Sequence, residues 1–274
     1  MSLNKIAGSE YPIIRQTMNT CGLASIAMVC SFHSKSIIDF LVELYGKHYM
    51  NSLRVINKIV KKDSVIIWSM GYLLLKARSR KKLGNWISEL LGGFEYDDFN
   101  LNIELLLNKP PTRRFLSKYR NFTTLLKYYD SDIIRKPLIE YYLDQFKTQI
   151  ELKVLAAMLG LKFVPYPEDI LGILYFNKDV EENRKKLEFL MKQIKLKKRS
   201  VLMGHGQSHW MVPHSLYATS RTTQEYVLGV NDPIGRPTMM PLHKFDHKYI
   251  FYFFEFDKKV CSKNLEFLRE LFYL

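Results

Sequence analysis

The chain has 274 residues, a formal net charge of +14, 47% hydrophobic residues and 14% aromatic ones. That length fits one large domain or one domain carrying an insertion, and that much apolar side chain excludes a chain disordered throughout. Three cysteines, Cys21, Cys30 and Cys261, form no C-x-x-C pair and leave one over, which argues against a disulfide framework and for a reducing compartment.

Nothing at the start, "MSLNKIAGSEYPII", has the long apolar core of a signal peptide. The longest apolar stretch, "VIIWSMGYLLL" at 65–75, is too short to span a bilayer. Both point to a soluble, cytoplasmic protein. Basic clusters stand at 76–82, 184–186 and 195–199. They would steer an acidic partner, nucleic acid or an anionic surface, or form a solvated face. No zinc-finger spacing or Gly-aromatic RNA-binding signature accompanies them, so nucleic acid is a minor expectation.

In chain order, 20–32 places Leu23, Ile26, Ala27 and Cys30 at i, i+3, i+4, i+7, one face of a helix. Residues 36–145 read as mostly helical, with breaks near Gly71, Gly92-Gly93, 108–114 and Lys136-Pro137. A helix over 148–159 stops at Gly160, and another covers 179–197. The texture then changes to short β-branched and aromatic runs at 200–206, 208–218, 225–232 and 248–256, before an amphipathic C-terminal helix. Helices first and antiparallel strands later predict an α+β fold. The expected organisation is 1–35, 36–147 as a helical insertion, and 148–274 with the sheet.

The chemistry centres on "RQTMNTCGLASIAMVC", residues 15–30. A thiol must become a thiolate to attack a carbonyl, and a helix N-terminus or a neighbouring histidine can bring that about. Cys21 falls in the first turn, with Asn19 or Thr20 as the N-cap. Cys30 sits in the apolar stripe. Of the seven histidines, His209 opens an apolar strand after a turn. The next strand ends in "GVNDPIG", supplying Asn231 and Asp232. A hairpin folded about "TSRTTQ" would bring His209 nearly opposite Asp232, where a carboxylate can orient an imidazole. Adjacent strand residues face opposite ways, so only one of Asn231 and Asp232 can serve. His205, between two glycines, and His214, after Pro213, are expected to be structural or exposed.

These pieces resemble papain-like cysteine peptidases, in particular the bacteriocin-leader-processing (double-glycine) peptidases and standalone relatives such as the eukaryotic actin maturation proteases. The matching segments are 16–28, 151–163, 199–212 and 226–235, in that order. The resemblance spans roughly the first 30 residues and 148–256. It implies a Cys-His-Asp triad of Cys21, His209 and Asp232, an oxyanion donor in Gln16, and a papain-like α+β fold. The stretch between Cys21 and His209 is long for that family, so 36–147 reads as added, and no ATPase or transmembrane segment accompanies it. The implied substrate is a protein or peptide, an acidic segment on the charge argument. An acyltransferase on the same fold, or a basic binding module for nucleic acid or acidic protein, are the other readings.

No cofactor is expected. His205 and His209, like His243 and His247, have H-x-x-x-H spacing, but in "HGQSH" glycine occupies the place of the glutamate a helical zinc-protease motif needs, and "HKFDH", a possible loop site, has no evident third ligand. No metal is therefore expected.

Overall fold

In the computed structural model, which describes residues 4–8, 10–16, 20–49, 62–79, 81–91, 149–164, 174–175, 180–196, 199–205, 209–218, 226–241 and 249–274, the helix expected at 20–32 is α1, Cys21–His33. It is not amphipathic. Every residue from Cys21 to Cys30 is buried, so the apolar stripe read from the spacing is one side of a helix enclosed all round. Gly22, Ala24, Ser25 and Ala27 make this possible, because short side chains let neighbouring elements approach the helix axis closely.

Those neighbours are helices α2 (Lys35–Tyr49), α3 (Lys62–Ser79) and α5 (Gln149–Met158) on one side and the sheet on the other. With α4 (Lys81–Leu91) and α7 (Lys258–Phe272), they contribute to one continuous hydrophobic cluster. The described helices of 35–91 thus share the core of α1. Gly71 does not break the chain as expected but lies buried within α3. Its cost of about 1 kcal/mol relative to alanine is offset by the burial around it. The other breaks expected between 92 and 147 lie outside the described residues.

The strands are β1 (Asn4–Gly8), β2 (Leu161–Val164), β3 (Leu174–Tyr175), β4 (Arg199–His205), β5 (His209–Ala218), β6 (Tyr226–Asp232), β7 (Arg236–Pro241) and β8 (Tyr249–Phe256). They form one antiparallel sheet of order β2-β8-β4-β5-β6-β7, with β1 added along β5 and β3 along β8. The fold class is α+β. Strand β8 shows how the sheet is covered: Tyr252 and Phe254 join the cluster around α1, while Phe251 and Phe253 join a second cluster with Leu190 and Ile194 of α6 (Val180–Lys195). Buried on both faces over Phe251–Phe254, β8 therefore reads there as a continuous apolar run.

Two local devices fix the ends of this assembly. Asp257 caps α7, its side chain accepting from the N–H groups of Lys259 and Val260 at 2.8 and 3.1 Å. Gly160 ends α5 with φ +83°, and its carbonyl accepts from the Asp257 N–H at 3.1 Å. A Cβ at Gly160 would sit 2.5 Å from Cβ of Cys261 and 2.6 Å from its Cα. Gly160→Ala thus combines a left-handed backbone with a clash against main chain. It is expected to lower unfolding free energy by about 3 kcal/mol. Chemical denaturation of the variant measures this; a change within about 0.5 kcal/mol, as at an ordinary surface position, would contradict it.

Candidate active site

The hairpin of β5 and β6 carries two of the expected residues, and the local sequence explains how. "Asp-Pro-Ile-Gly" at 232–235 is a turn in which proline presets φ at the second position and glycine takes the fourth with φ +106°. The Gly235 N–H donates to the Asp232 carbonyl at 2.9 Å. Oδ1 of Asp232 accepts from the Ile234 N–H, also at 2.9 Å, which fixes the carboxylate against its own turn. The same oxygen accepts from Nε2 of His209 at 3.0 Å. The expected pairing of His209 with Asp232 is therefore made directly.

Register decides that it is Asp232 and not Asn231. Val212 stands opposite Asn231, which places Asp232 on the same side of the alternation as His209 and Met211. Between Pro213 and Ser215 the register shifts by one residue, so His214 is the extra residue of a β-bulge. Proline lacks a backbone donor, and a bulge is where a central strand tolerates it. Gly229 makes the room: a Cβ there would lie 3.1 Å from the His214 ring. Without the bulge the alternation of β6 against the start of β5 would invert, and Asn231 would face His209. Instead Asn231 is buried and donates through Nδ2 to the Tyr11 carbonyl at 3.0 Å, holding down the chain that leads to Gln16.

Cys21 is the first residue of α1 and Thr20 is its N-cap, both as expected, but the cap lacks the expected side-chain bond. Asn19 lies outside the described residues. Backbone donors at Cys21, Gly22 and Trp210 approach the sulfur and favour its thiolate. Burial outweighs them, and the thiol is held above its ordinary value, with the charge of Asp232 adding to the rise. The sequence leads one to expect the helix N-terminus to act together with a histidine that takes the proton; in the resting protein desolvation outweighs the backbone donors, so the thiol proton needs that acceptor. The thiol lies against the backbone of Trp210, the residue after His209. The Trp210 amide had no signal in the sequence beyond that adjacency.

Gln16 is tied to the same turn, its N–H donating to the Pro233 carbonyl at 2.8 Å, and Oε1 of its side chain is buried. His205 ends β4 directly across from His209, half-buried, its ring 4.7 Å from that of Tyr249. His214 bonds the Ser215 hydroxyl through Nδ1, and burial, then Lys5, pushes its pKa down. Among the described residues no three His, Cys, Asp or Glu side chains gather as metal ligands; His243 and His247 lie outside them. Among the same residues no helix is long and apolar enough to cross a membrane.

Comparison with protein-family models, with curated sequences and with solved structures finds no match, so the chemistry must be tested on the chain itself. All three thiols are free and buried, Cys261 with a pKa pushed up to about 11 by desolvation and Cys30 higher still. Because the thiolate is the reacting form, iodoacetamide is expected to modify Cys21 first, at a rate that climbs with pH and inflects above the ordinary thiol value. Peptide mapping of protein quenched at successive pH values checks this. Equal rates at the three cysteines, or an inflection below the ordinary value, would contradict the burial-dominated thiol.

Proposed function

We propose that the protein is a cysteine peptidase of papain-like fold, cleaving a peptide bond in a protein or peptide through a thioester on Cys21. The observation that carries this reading is the His209–Asp232 bond at 3.0 Å, one residue from the amide that meets the Cys21 sulfur. Asp232 engages Nε2, which leaves Nδ1 of His209 as the nitrogen that takes the thiol proton. The carboxylate holds that tautomer and stabilises the imidazolium once it forms.

In this mechanism the sulfur attacks the substrate carbonyl as its proton passes to His209, and the carbonyl oxygen becomes an oxyanion. Gln16 and the Cys21 N–H donate to that oxygen. Collapse breaks the C–N bond, and His209 returns its proton to the leaving amine. Water, activated by the same imidazole, then hydrolyses the thioester and frees the thiol. A buried, protonated thiol suits this order of events, because charge appears only when substrate has excluded water. The described helices of 35–91 would border the cleft and bias the substrate, and Asp63 of α3 already touches the segment that carries Gln16. Free thiols fit a reducing, cytoplasmic setting.

Internally quenched peptides of mixed sequence supply the assay. Cys21→Ala should retain the fold, since a small side chain replaces a small one, and lose all turnover. Gln16→Ala should lower kcat by about 10²–10³-fold with KM little changed, because its partner charge exists only in the transition state. Turnover surviving in Cys21→Ala, or a Gln16→Ala loss confined to KM, would overturn the assignment.

A further inference from the structure

Beside the His209–Asp232 pair lies an arginine that the mechanism does not use. Arg15 precedes Gln16 and is exposed, yet its stem is packed against the chain. Its stem and Nε lie on Gly235, where a Cβ would sit 2.7 Å from Nε and 3.0 Å from Cγ and Cδ. Gly235 closes the turn whose first residue is Asp232, so the guanidinium rests on the turn that holds the catalytic carboxylate. Asp63, the acid in contact with Arg15, accepts from its backbone N–H at 3.1 Å instead. Among the described residues no carboxylate pairs with the guanidinium.

Two features distinguish this group from a solvated surface arginine. Its stem is already ordered against the turn, so less conformational freedom is lost when the planar fork meets a ligand. Two apolar side chains beside it are also exposed: Ile13, two residues earlier, at 38%, and Ile234, in the turn itself, at 60%. Exposed apolar side chains next to a cation that no described carboxylate pairs with are what a short peptide needs on either side of an acidic residue.

Resting on the peptidase reading, we infer that Arg15 is a specificity residue that receives the carboxylate of an Asp or Glu side chain near the scissile bond. It acts by recognition and takes no part in bond breaking. The preference is local, distinct from a general attraction by the net charge of +14, which losing one cation would leave nearly whole.

The test is protection of Cys21 from iodoacetamide by short peptides, identical except for Glu, Gln or Lys at one scanned position, at low ionic strength. Protection reports binding whether or not the peptide is cut. At one or more positions the native protein should be protected by the Glu peptide at about three- to fivefold lower concentration than by its Gln twin, the scale of one exposed ion pair. Arg15→Ala should abolish that difference, and Arg15→Glu should transfer the preference to Lys. A Glu preference unchanged in Arg15→Ala, or no preference in the native protein, overturns the inference and leaves the Cys21 nucleophile standing. Failure of every peptide to protect, or a Cys21 no more reactive than Cys30 and Cys261, overturns both.

Discussion

One extra residue in β5 governs the geometry of the whole candidate site. The bulge at His214 shifts the pairing of β5 with β6 by one position, and in a sheet a shift of one exchanges the two faces. That exchange sends the Asp232 carboxylate to His209 and the Asn231 amide to the Tyr11 carbonyl. One face thereby gains an oriented imidazole. The other gains an anchor for residues 10–16, the segment that delivers Arg15 and Gln16 to the turn after Asp232. Further back along the same segment, the Tyr11 hydroxyl meets Ser200 at 2.9 Å, and His33 at the end of α1 meets Ser200 at 2.7 Å. The N-terminal segment, α1 and the sheet are in this way tied at both ends of the helix that begins with Cys21.

Electrostatically the site is arranged for charge that is not yet present. Cys21 is buried, and desolvation sets its resting state as a thiol despite three backbone donors around the sulfur. The same donors would be strongest for a negative charge created in a dry cleft. His33 follows the same physics away from the His209–Asp232 pair: burial pushes its pKa down to about 4, and its half-buried ring stacks 4.9 Å from that of Phe256. A histidine near the cysteine helix is thus not sufficient. The carboxylate partner marks His209 out.

Much of this architecture was legible in the residues. Gly160, after an apolar helix, announced a stop because a left-handed position favours glycine, and the structure has φ +83° there. The hairpin about "TSRTTQ" and the Asp-Pro turn were readable from polar and turn residues between β-branched runs. The pairing of His209 with Asp232 followed from folding the chain at that loop. Its register did not: Val212, not His209, lies within one residue of being opposite Asp232, and only the alternation survives intact. The bulge that preserves it needs the joint effect of Pro213 and Gly229, residues on different strands, which no local pattern couples. Helix α1 misled for a related reason. A period of 3.6 shows one apolar face, but the small residues on its remaining faces are equally consistent with burial, and only the elements packed around it decide. Gly71 looked like a break because propensity is local while burial is not. That burial outweighs the helix N-terminus at Cys21 was not readable, since the depth of a residue is not written in its neighbours.

The central claim is that Cys21 forms a covalent acyl intermediate, and the most direct measurement is a pre-steady-state burst with an activated acyl ester, quenched in acid and followed by mass spectrometry. The account predicts a stoichiometric burst of the leaving group, an acyl adduct mapped to Cys21, and loss of both in Cys21→Ala. Release without a burst, or an adduct confined to Cys30, Cys261 or a lysine, would contradict it.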